Sequence, residues 1–540
     1  MEEGGELIMP LGQKVVLIGG GHNALIAAFY LAKGGFKPVV LERREVTGGG
    51  ATTEEFHPGF RVSALAHTLG PLRADVARDM RLEKYNLQIF RPDPRVFAPA
   101  PDGRGLLFYG DAGKTAGAIS HLSARDGAKY TEFAEALERI AGVFGQIAAI
   151  TPPGIDNPSP EDFWNLLKTG RAVRRLGKDG IFDLLRWGPM AAADFVGEFF
   201  ETELLRAVIA ARGIFGANLG PWSAGSAAVL LLRAAADPHP AGAAAFPRGG
   251  LGEFARALTE SAQAAGAEVR TSAEVAQIRT KGGAVSGVVL SNGEEIACEA
   301  VVSGVDPKRT FFQLLDPAGF DPVFAMRMKN FRSRGNVAKV HLALGDLPNF
   351  PSLANAVAPD GFREALGGRI HIGYEIDYLE KAYDASKYGE ISAAPYLDVT
   401  IPTVLDSSLA PTGKHVLSAY FQFAPYTLRE GNWNSRRGEL ANLVIKTLSA
   451  YSPNLANLVE AAHVITPEDL DKEYGFTGGH IFHGEIALDQ IFTMRPVLDW
   501  ARYQTPVRGL FLCGNGTHPG NGLTGASGAN AVREIIHELR

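Results

Sequence analysis

The chain has 540 residues, 46% of them apolar, and a formal net charge of −6 at pH 7. Because a single hydrophobic core rarely serves a chain of this length, the sequence predicts two or more packed units. The mild negative charge argues against a dedicated nucleic-acid-binding protein, which would normally carry a basic domain or stripe.

The N-terminal residues 1 to 13, MEEGGELIMPLGQ, are acidic where a signal or transit peptide would be basic. No stretch of the chain approaches the roughly 20 consecutive apolar residues of a membrane span. We therefore expect a cytoplasmic protein, with peripheral contact to a membrane left open.

The first predicted elements are a strand, a glycine-rich turn and a helix. Residues Val15 to Ile18 form an apolar run typical of a buried parallel strand. Gly19 permits the tight turn, Gly21 lets the backbone approach a pyrophosphate, and Ala24 is a third small residue where helix packs on strand. The helix from about Asn23 to Lys33 would point its positive N-terminal dipole at the phosphates. The candidate contacts here are Gly19, Gly21, His22, Asn23 and Ala24.

A second apolar strand, Pro38 to Leu41, delivers Glu42 where an acid accepts hydrogen bonds from ribose hydroxyls. Together these elements predict an adenine-dinucleotide site. Residues 43 to 53, RREVTGGGATT, add a second glycine cluster, and this arrangement resembles the glutathione-reductase-type flavoproteins, in which the cluster approaches the pyrophosphate of FAD. The resemblance implies FAD as the cofactor. It adds Arg43, Gly49, Gly50 and Ala51 to the candidate contacts.

The remaining chain alternates between two kinds of segment. Residues 116 to 245 are mainly helical by apolar spacing and are predicted to form a cap, with PPGIDNPSP at 152 to 160 as a linker. The resemblance implies an α/β fold with a glutathione-reductase-like, Rossmann-type FAD-binding domain and a mixed sheet-and-helix substrate or cap domain. The predicted FAD-binding domain comprises residues 1–115, 246–310 and 476–540, and the substrate or cap domain comprises 116–245 and 311–475.

Within the predicted cap, residues 163 to 188 mix cationic and aromatic side chains. The cations are Lys168, Arg171, Arg174, Arg175, Lys178 and Arg186. Because such a mixture suits a membrane interface, this stretch is a candidate entry point for an apolar substrate. An ordinary solvated cap helix is the alternative.

Two later segments carry a more specific resemblance. Residues 246 to 307, beginning FPRGGLGEF, and residues 507 to 533, VRGLFLCGNGTHPGNGLTGASGANAVR, resemble the phytoene-desaturase and carotenoid-isomerase branch of FAD oxidoreductases. The likeness covers nearly the whole chain and lies near the branch called pyridine nucleotide-disulphide oxidoreductase domain-containing protein 2. It implies FAD contacts at Val275, Gly514, Asn515, Gly522, Leu523 and Thr524. Many amine oxidases of this superfold have Gly-Asp where this chain has Gly514-Asn515, so an amide would replace that flavin-binding carboxylate.

The candidate catalytic residues are Lys339, His341, His67 and His518. Lys339 and His341 are two apart on a predicted strand and therefore share a face. The strand resembles the one on which flavin amine oxidases place a lysine that holds a water near flavin N5, which implies that role for Lys339. A surface lysine in a strand-edge salt bridge is the alternative. His67 and His518 are acid or base candidates, or else histidines that hold loops by hydrogen bonds.

Several patterns point away from other chemistries. His480 and His483, with Glu485 nearby, lack an assured third ligand, so no metal is predicted. Cys298 and Cys513 form no CxxC pair and are predicted to be core thiols. No second strand-glycine-helix pattern appears, so a separate NAD(P)H site is not expected.

These observations predict an FAD-dependent oxidoreductase that acts on a largely apolar, unsaturated, carotenoid- or isoprenoid-like substrate by hydride transfer at flavin N5. The reaction would be desaturation, saturation or isomerisation. A flavin amine or amino-acid oxidase is one alternative, with Arg61, Arg369 and Arg495 as candidates to clamp a carboxylate. A non-catalytic, flavin-stabilised binding or assembly protein is the other. The sequence indicates no nucleic-acid partner and no particular oligomeric state.

Overall fold

Two sheets and the helices around them organise the computed structural model, which describes residues 12–70, 72–154 and 158–540. Most of the N-terminal stretch 1 to 13 and the middle of the predicted linker lie outside these residues. The strands are β1 (Lys14–Ile18), β2 (Lys37–Leu41), β3 (Thr53–His57), β4 (Phe60–Ser63), β5 (Ile89–Phe90), β6 (Val96–Pro99), β7 (Gly105–Phe108), β8 (Phe246–Pro247), β9 (Glu268–Arg270), β10 (Val275–Lys281), β11 (Ala284–Leu290), β12 (Glu295–Ala297), β13 (Ala300–Ser303), β14 (Val337–Leu344), β15 (Arg369–Ile372), β16 (Leu397–Thr400), β17 (His415–Gln422), β18 (Val459–Ile465) and β19 (Leu510–Leu512).

The helices follow the same chain order. They are α1 (His22–Lys33), α2 (Ala74–Asp79), α3 (Ala112–Ser120), α4 (Ala124–Ala149), α5 (Pro160–Arg175), α6 (Gly177–Trp187), α7 (Ala192–Gly197), α8 (Glu203–Ala210), α9 (Ser226–Ala236), α10 (Leu251–Ala264), α11 (Pro307–Phe312), α12 (Pro322–Asn330), α13 (Phe362–Ala365), α14 (Ile376–Lys387), α15 (Trp433–Ser449), α16 (Leu455–Leu458), α17 (Pro467–Lys472) and α18 (Ala526–Leu539). Among the described residues, no helix is both long enough and apolar enough to cross a bilayer.

The first sheet is parallel, with strand order β19-β13-β1-β2-β9. Its central strand β1 is buried over Val15 to Ile18, because α1, α10 and α18 pack on one face of the sheet and the strands β10 to β12 pack on the other. The chain leaves β1 on one side to form β2 and returns on the other side as β13. Ligands of such sheets bind beyond the carboxyl ends of the strands, at the point where the strand order reverses. The turn after β1 lies at that point.

The second sheet has seven strands, in the order β18-β14-β17-β16-β15-β6-β7. Every residue of β14 and β17 is buried, because one face of the sheet packs under α15 and the other turns toward the interior of the molecule. Strands β6 and β7 come from residues 96 to 108, which the sequence analysis assigned to the FAD-binding domain, yet they pair into this second sheet. Strand β6 joins the second sheet because it pairs with β15. The other predicted domain boundaries stay a prediction.

The segment between residues 116 and 245 forms the helices α4 to α9, and the apolar faces of α4 and of α6 to α9 share one buried core. Ser123 caps the long helix α4 by accepting a hydrogen bond from the backbone of Asp126. The two cysteines, Cys298 and Cys513, are both free and buried, as expected of core thiols. This helical layer closes one end of a cavity that lies between the two sheets.

Candidate active site

A cavity of about 330 Å³ extends from the turn after β1 to the helices of the cap. Glycines of the two glycine clusters line one end, and side chains from α8, α9 and the second sheet line the other end. A cavity that combines an apolar wall with a few polar groups is the usual form of a cofactor and substrate site.

The N-terminus of α1 faces this cavity with its backbone amides. No side chain caps the helix, and no acidic residue lies in its first turn. Its first residues His22 and Asn23 are nevertheless buried and line the cavity. Buried first-turn amides need an acceptor, and a phosphate is a suitable one. The helix begins at His22, one residue before the predicted start.

Glu42 lies at the end of β2 and lines the same part of the cavity. Its Oε2 accepts a hydrogen bond of 2.6 Å from the backbone of Gly20, and its Oε1 accepts one of 2.9 Å from Arg44. These bonds hold the carboxylate in place. Each carboxylate oxygen can accept more than one hydrogen bond, so Glu42 can still bind ribose hydroxyls.

The two glycine clusters touch backbone to backbone. The amide of Gly48 donates to the carbonyl of Gly20 at 2.8 Å. A Cβ added to Gly48, whose φ is +122°, would lie 2.7 Å from the carbonyl oxygen of Ala51, and one added to Gly49 would lie 3.3 Å from Cα of Gly21. Gly49 and Gly50 line the cavity, whereas Ala51 is fully buried behind them. The absence of side chains makes room for a pyrophosphate between the clusters.

Arg43 and Val275 line the cavity beside Glu42. Arg43 is tied to the backbone of Glu473, and burial together with neighbouring Arg309 lowers the pKa of its guanidinium. Val275 begins β10 and is one of the FAD contacts that the family resemblance implies. Both residues therefore lie where a dinucleotide would extend from the turn after β1.

The loop after β19 closes the cavity from the other side. Asn515, Gly522 and Leu523 line it, while Gly514 and Thr524 lie behind them. His22 holds this loop against α1, since Nε2 lies 3.1 Å from the carbonyl of Gly522. Burial lowers the pKa of His22 to about 4, so the ring is neutral near pH 7 and donates through Nε2.

Asn515 also contacts α1. Its Oδ1 accepts a hydrogen bond of 3.1 Å from Nδ2 of Asn23, whose Oδ1 in turn accepts from the backbone of Gly528 in α18. A carboxylate at position 515 could accept the same bond. The amide therefore keeps the link between α1 and the C-terminal helix that a Gly-Asp sequence would also allow.

The two neighbouring histidines His480 and His483 lie in different environments. His483 lines the cavity, and its Nδ1 is buried with no hydrogen-bond partner among the described residues. His480 accepts from the backbone of Phe482 at 3.2 Å, and Glu485 is bound by Arg332 and Asn218. In the described chain no three metal-binding side chains come together. The two histidines thus differ in position, since His483 lines the cavity and His480 lies behind it.

Lys339 lies one layer behind the cavity wall. Its Nζ is 2.8 Å from Nδ1 of His67 and 4.0 Å from the ring centre of Tyr420, and those two residues line the cavity in front of it. Nε2 of His67 is 2.8 Å from the carbonyl of Asp398. Because a carbonyl only accepts, Nε2 carries the proton, and Nδ1 accepts from the lysine.

Burial governs the ionisation of this pair. It lowers the pKa of Lys339 well below its usual value, with Asp398 opposing the shift. Burial and the nearby lysine lower the pKa of His67 as well. Desolvation thus favours a neutral amine bonded to a neutral imidazole. This arrangement differs from a lysine that holds a water directly in the cavity.

The other two candidate histidines make structural contacts. His341 shares the face of Lys339, but its ring lies 3.1 Å from the carbonyl of Ala64 and 3.0 Å from Oγ of Ser418. His518 donates to the carbonyl of Ile147 in α4 at 3.0 Å, and burial lowers its pKa to about 4. Neither lines the cavity, so of the four candidates only His67 does.

Several cavity residues escaped the sequence analysis. Asp398 on β16, Tyr396 just before that strand and Tyr420 on β17 all line the cavity. Asp398 pairs with Tyr420 across the two strands, so both side chains share one face. Alternating polar positions in YLDVT and SAYFQ were the available signal. Arg212 and Arg233, on cap segments, had no distinguishing motif.

The three arginines that were candidates to bind a substrate carboxylate lie in different places. Arg369 lines the cavity and forms an ion pair with Asp398. Arg61 lies on the outer strand β4 and donates to the carbonyl of Ser408, and buried Arg495 donates to a group of backbone carbonyls. Only Arg369 is positioned to meet a substrate.

The sequence of this chain is similar to those of known flavin oxidoreductases, which agrees with a dinucleotide cofactor in this cavity. The family model described as flavin containing amine oxidoreductase matches residues 25–536. Pyridine nucleotide-disulfide oxidoreductase domain-containing protein 2 of Rattus norvegicus is 33% identical over 97% of this chain and 93% of its own length. Phytoene dehydrogenase of Streptomyces griseus is 26% identical over 94% of this chain and 92% of its own. The predicted family resemblance is confirmed.

Solved structures show the same fold. Cyclohexylamine oxidase from Brevibacterium oxydans IH-35A superposes with a TM-score of 0.55 at 15% identity, covering 98% of this chain and 99% of the oxidase. The predicted α/β fold class is thereby confirmed. With a family match over nearly its whole length and a cavity that fits the cofactor, the chain belongs to the flavin-containing amine oxidoreductase family, and its cofactor is FAD.

Proposed function

We propose that this protein is an FAD-dependent oxidoreductase of a largely apolar, unsaturated substrate, which it desaturates, saturates or isomerises. The observation that carries the proposal is the composition of the cavity wall beyond the glycine clusters. It is largely apolar, with Val96, Val208, Ala211, Phe215, Ala236, Ile481 and Phe482. The similarity to phytoene dehydrogenase, whose name states an unsaturated hydrocarbon as substrate, supports the same class.

FAD bound at the glycine clusters would supply a hydride acceptor or donor at flavin N5. The chain's own residues would exclude water and fix the groups around the substrate. Phe215 and Phe482 contact each other at a ring-centre distance of 6.4 Å, and Phe215 contacts Tyr420 at 4.9 Å. These aromatic contacts give the cavity a dry wall on its cap side.

His67 is the titratable side chain that we propose to act in the cavity, and Lys339 is its positioning residue. The lysine and the carbonyl of Asp398 hold the two ring nitrogens, so the imidazole cannot rotate without losing a hydrogen bond. An amine and an imidazole in contact can share one proton between them. Because both ring nitrogens are already hydrogen-bonded inside the protein, the pair shapes the electrostatics beside the substrate and takes no proton from it directly.

The experiment that tests this function is an anaerobic mixing assay of the FAD-loaded protein. Parallel panels of polyenes in detergent and of amines or amino acids are added while the flavin absorption is followed. Bleaching by a polyene is the result expected of a desaturase; if no polyene bleaches the flavin, product analysis tests for isomerisation, and for saturation once the flavin has been reduced. Bleaching by amines alone would replace the proposal with an amine or amino-acid oxidase, which the position of Arg369 favours as the second candidate.

We further propose that the helices α5 and α6 touch an anionic membrane surface. Their outer side exposes large apolar side chains, among them Phe163 at 69% and Leu185 at 68%. The six cations between Lys168 and Arg186 are exposed on the same two helices. Aromatic and aliphatic side chains beside lysines and arginines are the pattern of an interfacial helix. An apolar substrate would then pass from the lipid to the cap of a cytoplasmic enzyme.

A further inference from the structure

Three arginine side chains from different elements meet at the cap end of the cavity. Arg212 follows α8, Arg233 lies on α9 and Arg369 begins β15, and all three line the wall. A Cβ added to Gly242, whose φ is +82°, would lie 3.2 Å from Nε of Arg212 and 3.3 Å from Nη2 of Arg369. Nitrogens of two guanidinium groups therefore lie within about 3.3 Å of one point.

Backbone carbonyls hold these arginines in position. Arg212 donates to the carbonyls of His239 at 2.6 Å and Asp237 at 2.8 Å, and Arg369 donates from Nε to the carbonyl of Ala243 at 2.9 Å. Arg233 donates to the carbonyl of Phe215 at 2.6 Å. Carbonyl oxygens accept hydrogen bonds but do not neutralise a charge. The groups are thus fixed in place while their charges stay available.

The ring of Phe482 packs 4.9 Å from the guanidinium of Arg233, and Phe215 packs on it at 5.5 Å. Nε of this arginine is buried and has no hydrogen-bond partner in the described part of the chain. Leaving a buried donor of a charged group unpaired is costly. The guanidinium that carries this donor lines the cavity, so an oxyanion bound there would meet the same charged group.

The carboxylates nearby do not balance the cations. Asp398 pairs with Arg369, and Asp237 lies 3.5 Å from Arg95. Among the described residues, neither Arg212 nor Arg233 forms a direct ion pair with a carboxylate, although the charge of nearby Asp237 opposes the lowering of the pKa of Arg212. Burial lowers the pKa of both guanidinium groups to about 10, so both remain charged near neutral pH.

The histidines around this end of the cavity carry no charge of their own at neutral pH. Burial lowers the pKa of His371 and of His239 to about 4, so both rings are neutral at pH 7. Buried charges in proteins are normally paired. Two partly buried guanidinium groups without carboxylate partners, aimed into one cavity, therefore call for an anion from outside the chain.

We propose that Arg212 and Arg233, with Arg369 beside them, bind an oxyanion head group of the substrate, a carboxylate or a phosphate, while its apolar chain lies along the aromatic wall. Guanidinium groups match both oxyanions in geometry and charge. This inference rests on the proposed function and narrows its substrate class from apolar hydrocarbons to amphipathic unsaturated anions. The position of the head group would also decide which bond of the chain meets the flavin.

The test compares ligands that share one unsaturated chain. Oleate, oleyl phosphate and oleyl alcohol, each below its micelle concentration, are titrated into FAD-loaded protein while the flavin spectrum and tryptophan fluorescence are followed. We expect at least one anion to bind about tenfold or more tightly than the alcohol, since a charge-assisted hydrogen bond contributes that much. The tighter of the two anions identifies the head group. Equal affinity for all three ligands would overturn the proposal.

Variants then assign the preference to the arginines. Arg212→Met and Arg233→Met should each reduce the anion preference about tenfold, and Arg233→Lys should retain part of it. Arg61→Met, on the outer strand, is the matched control and should keep the wild-type preference. FAD content and melting temperature are measured for every variant. Loss of FAD with an unchanged anion preference would mean that these arginines serve the cofactor, which would contradict the proposal.

This experiment separates the two proposals. Anion preference is read from equilibrium binding and needs no turnover. If the anions bind selectively but no unsaturated compound bleaches the flavin or is converted to a product, the proposed function fails while the oxyanion site stands. If polyenes bleach the flavin but no anion is preferred, the oxyanion site fails alone.

Discussion

Nζ of Lys339 lies 2.8 Å from Nδ1 of His67, although 272 positions separate the two residues in the chain. The contact joins strand β14 to the segment after the second glycine cluster, and only the histidine reaches the cavity. We therefore expect the lysine to influence chemistry in the cavity only through the imidazole. Substitutions at the two positions should have related effects.

Replacing Lys339 with Met should slow flavin reduction or reoxidation at least about tenfold while FAD stays bound, because the imidazole loses the donor that orients it. The pH profile of the affected rate should also shift, since the lysine no longer helps to lower the pKa of His67. Stopped-flow kinetics of both half-reactions measure these effects. Lys329→Met, an exposed lysine on α12, is the control. Unchanged kinetics in both half-reactions would rule out the role of Lys339.

Replacing Gly21 with Ala should weaken FAD binding about tenfold or more without lowering the stability of the apoprotein. The added methyl group meets no protein atom within 4 Å, yet the residue lines the cavity where backbone must approach a pyrophosphate. A fluorescence titration with FAD measures the affinity. Gly142→Ala on α4 adds a methyl group that is equally free of contacts but outside the cavity, and should bind FAD normally. Equal affinities for the two variants would contradict this placement of the cofactor.

Acid should destabilise the protein through His518. Burial, with Arg495 nearby, lowers the pKa of this histidine from 6.5 to about 4 in the folded chain. Between these values the unfolded chain binds a proton that the folded chain does not, so the free energy of unfolding falls as pH falls. The contribution is on the order of 3 kcal/mol. His518→Gln should keep the hydrogen bond to Ile147 and flatten the pH dependence measured by denaturant unfolding between pH 7 and 4. An unchanged slope would exclude this histidine as a source.

If α5 and α6 touch a membrane, removing their exposed apolar side chains should weaken lipid binding selectively. The double substitution Phe163→Ser and Leu185→Ser should weaken binding to anionic liposomes at low salt about tenfold or more, because two large apolar side chains no longer enter the interface. Val323→Ser with Met326→Ser removes similarly exposed apolar side chains from α12 and is the control. Sedimentation with liposomes measures the bound fraction. If the wild-type protein does not sediment, the membrane proposal is wrong.

The sequence predicted the cofactor end of the cavity well because that chemistry is local. Gly19, Gly21 and Glu42 lie within 24 residues of one another, and their spacing alone implies strand, turn, helix and acid. The family resemblance extended the prediction to the loop after β19. Asn515 and Gly522 do line the cavity, although Gly514 and Thr524 lie behind it.

The catalytic end was harder to predict because distant strands build it. The alternation of Lys339 and His341 shows that the two side chains share one face of β14. It does not show that another segment of the chain lies between that face and the cavity. His67 occupies that place, so the lysine was assigned a direct contact that the structure gives to the histidine. Likewise, nothing in the sequence distinguishes Arg369, which faces the cavity, from Arg495, which donates to backbone carbonyls.

The first sheet is complete only when β19 pairs with β13, and Asn515 then meets Asn23 across 492 positions of the chain. A nascent polypeptide whose first glycine cluster has emerged from the ribosome therefore still lacks the opposite wall of the dinucleotide site. Cofactor loading is expected to follow release from the ribosome rather than to accompany synthesis. The cell would then hold a pool of fully translated apoprotein whose size depends on flavin supply.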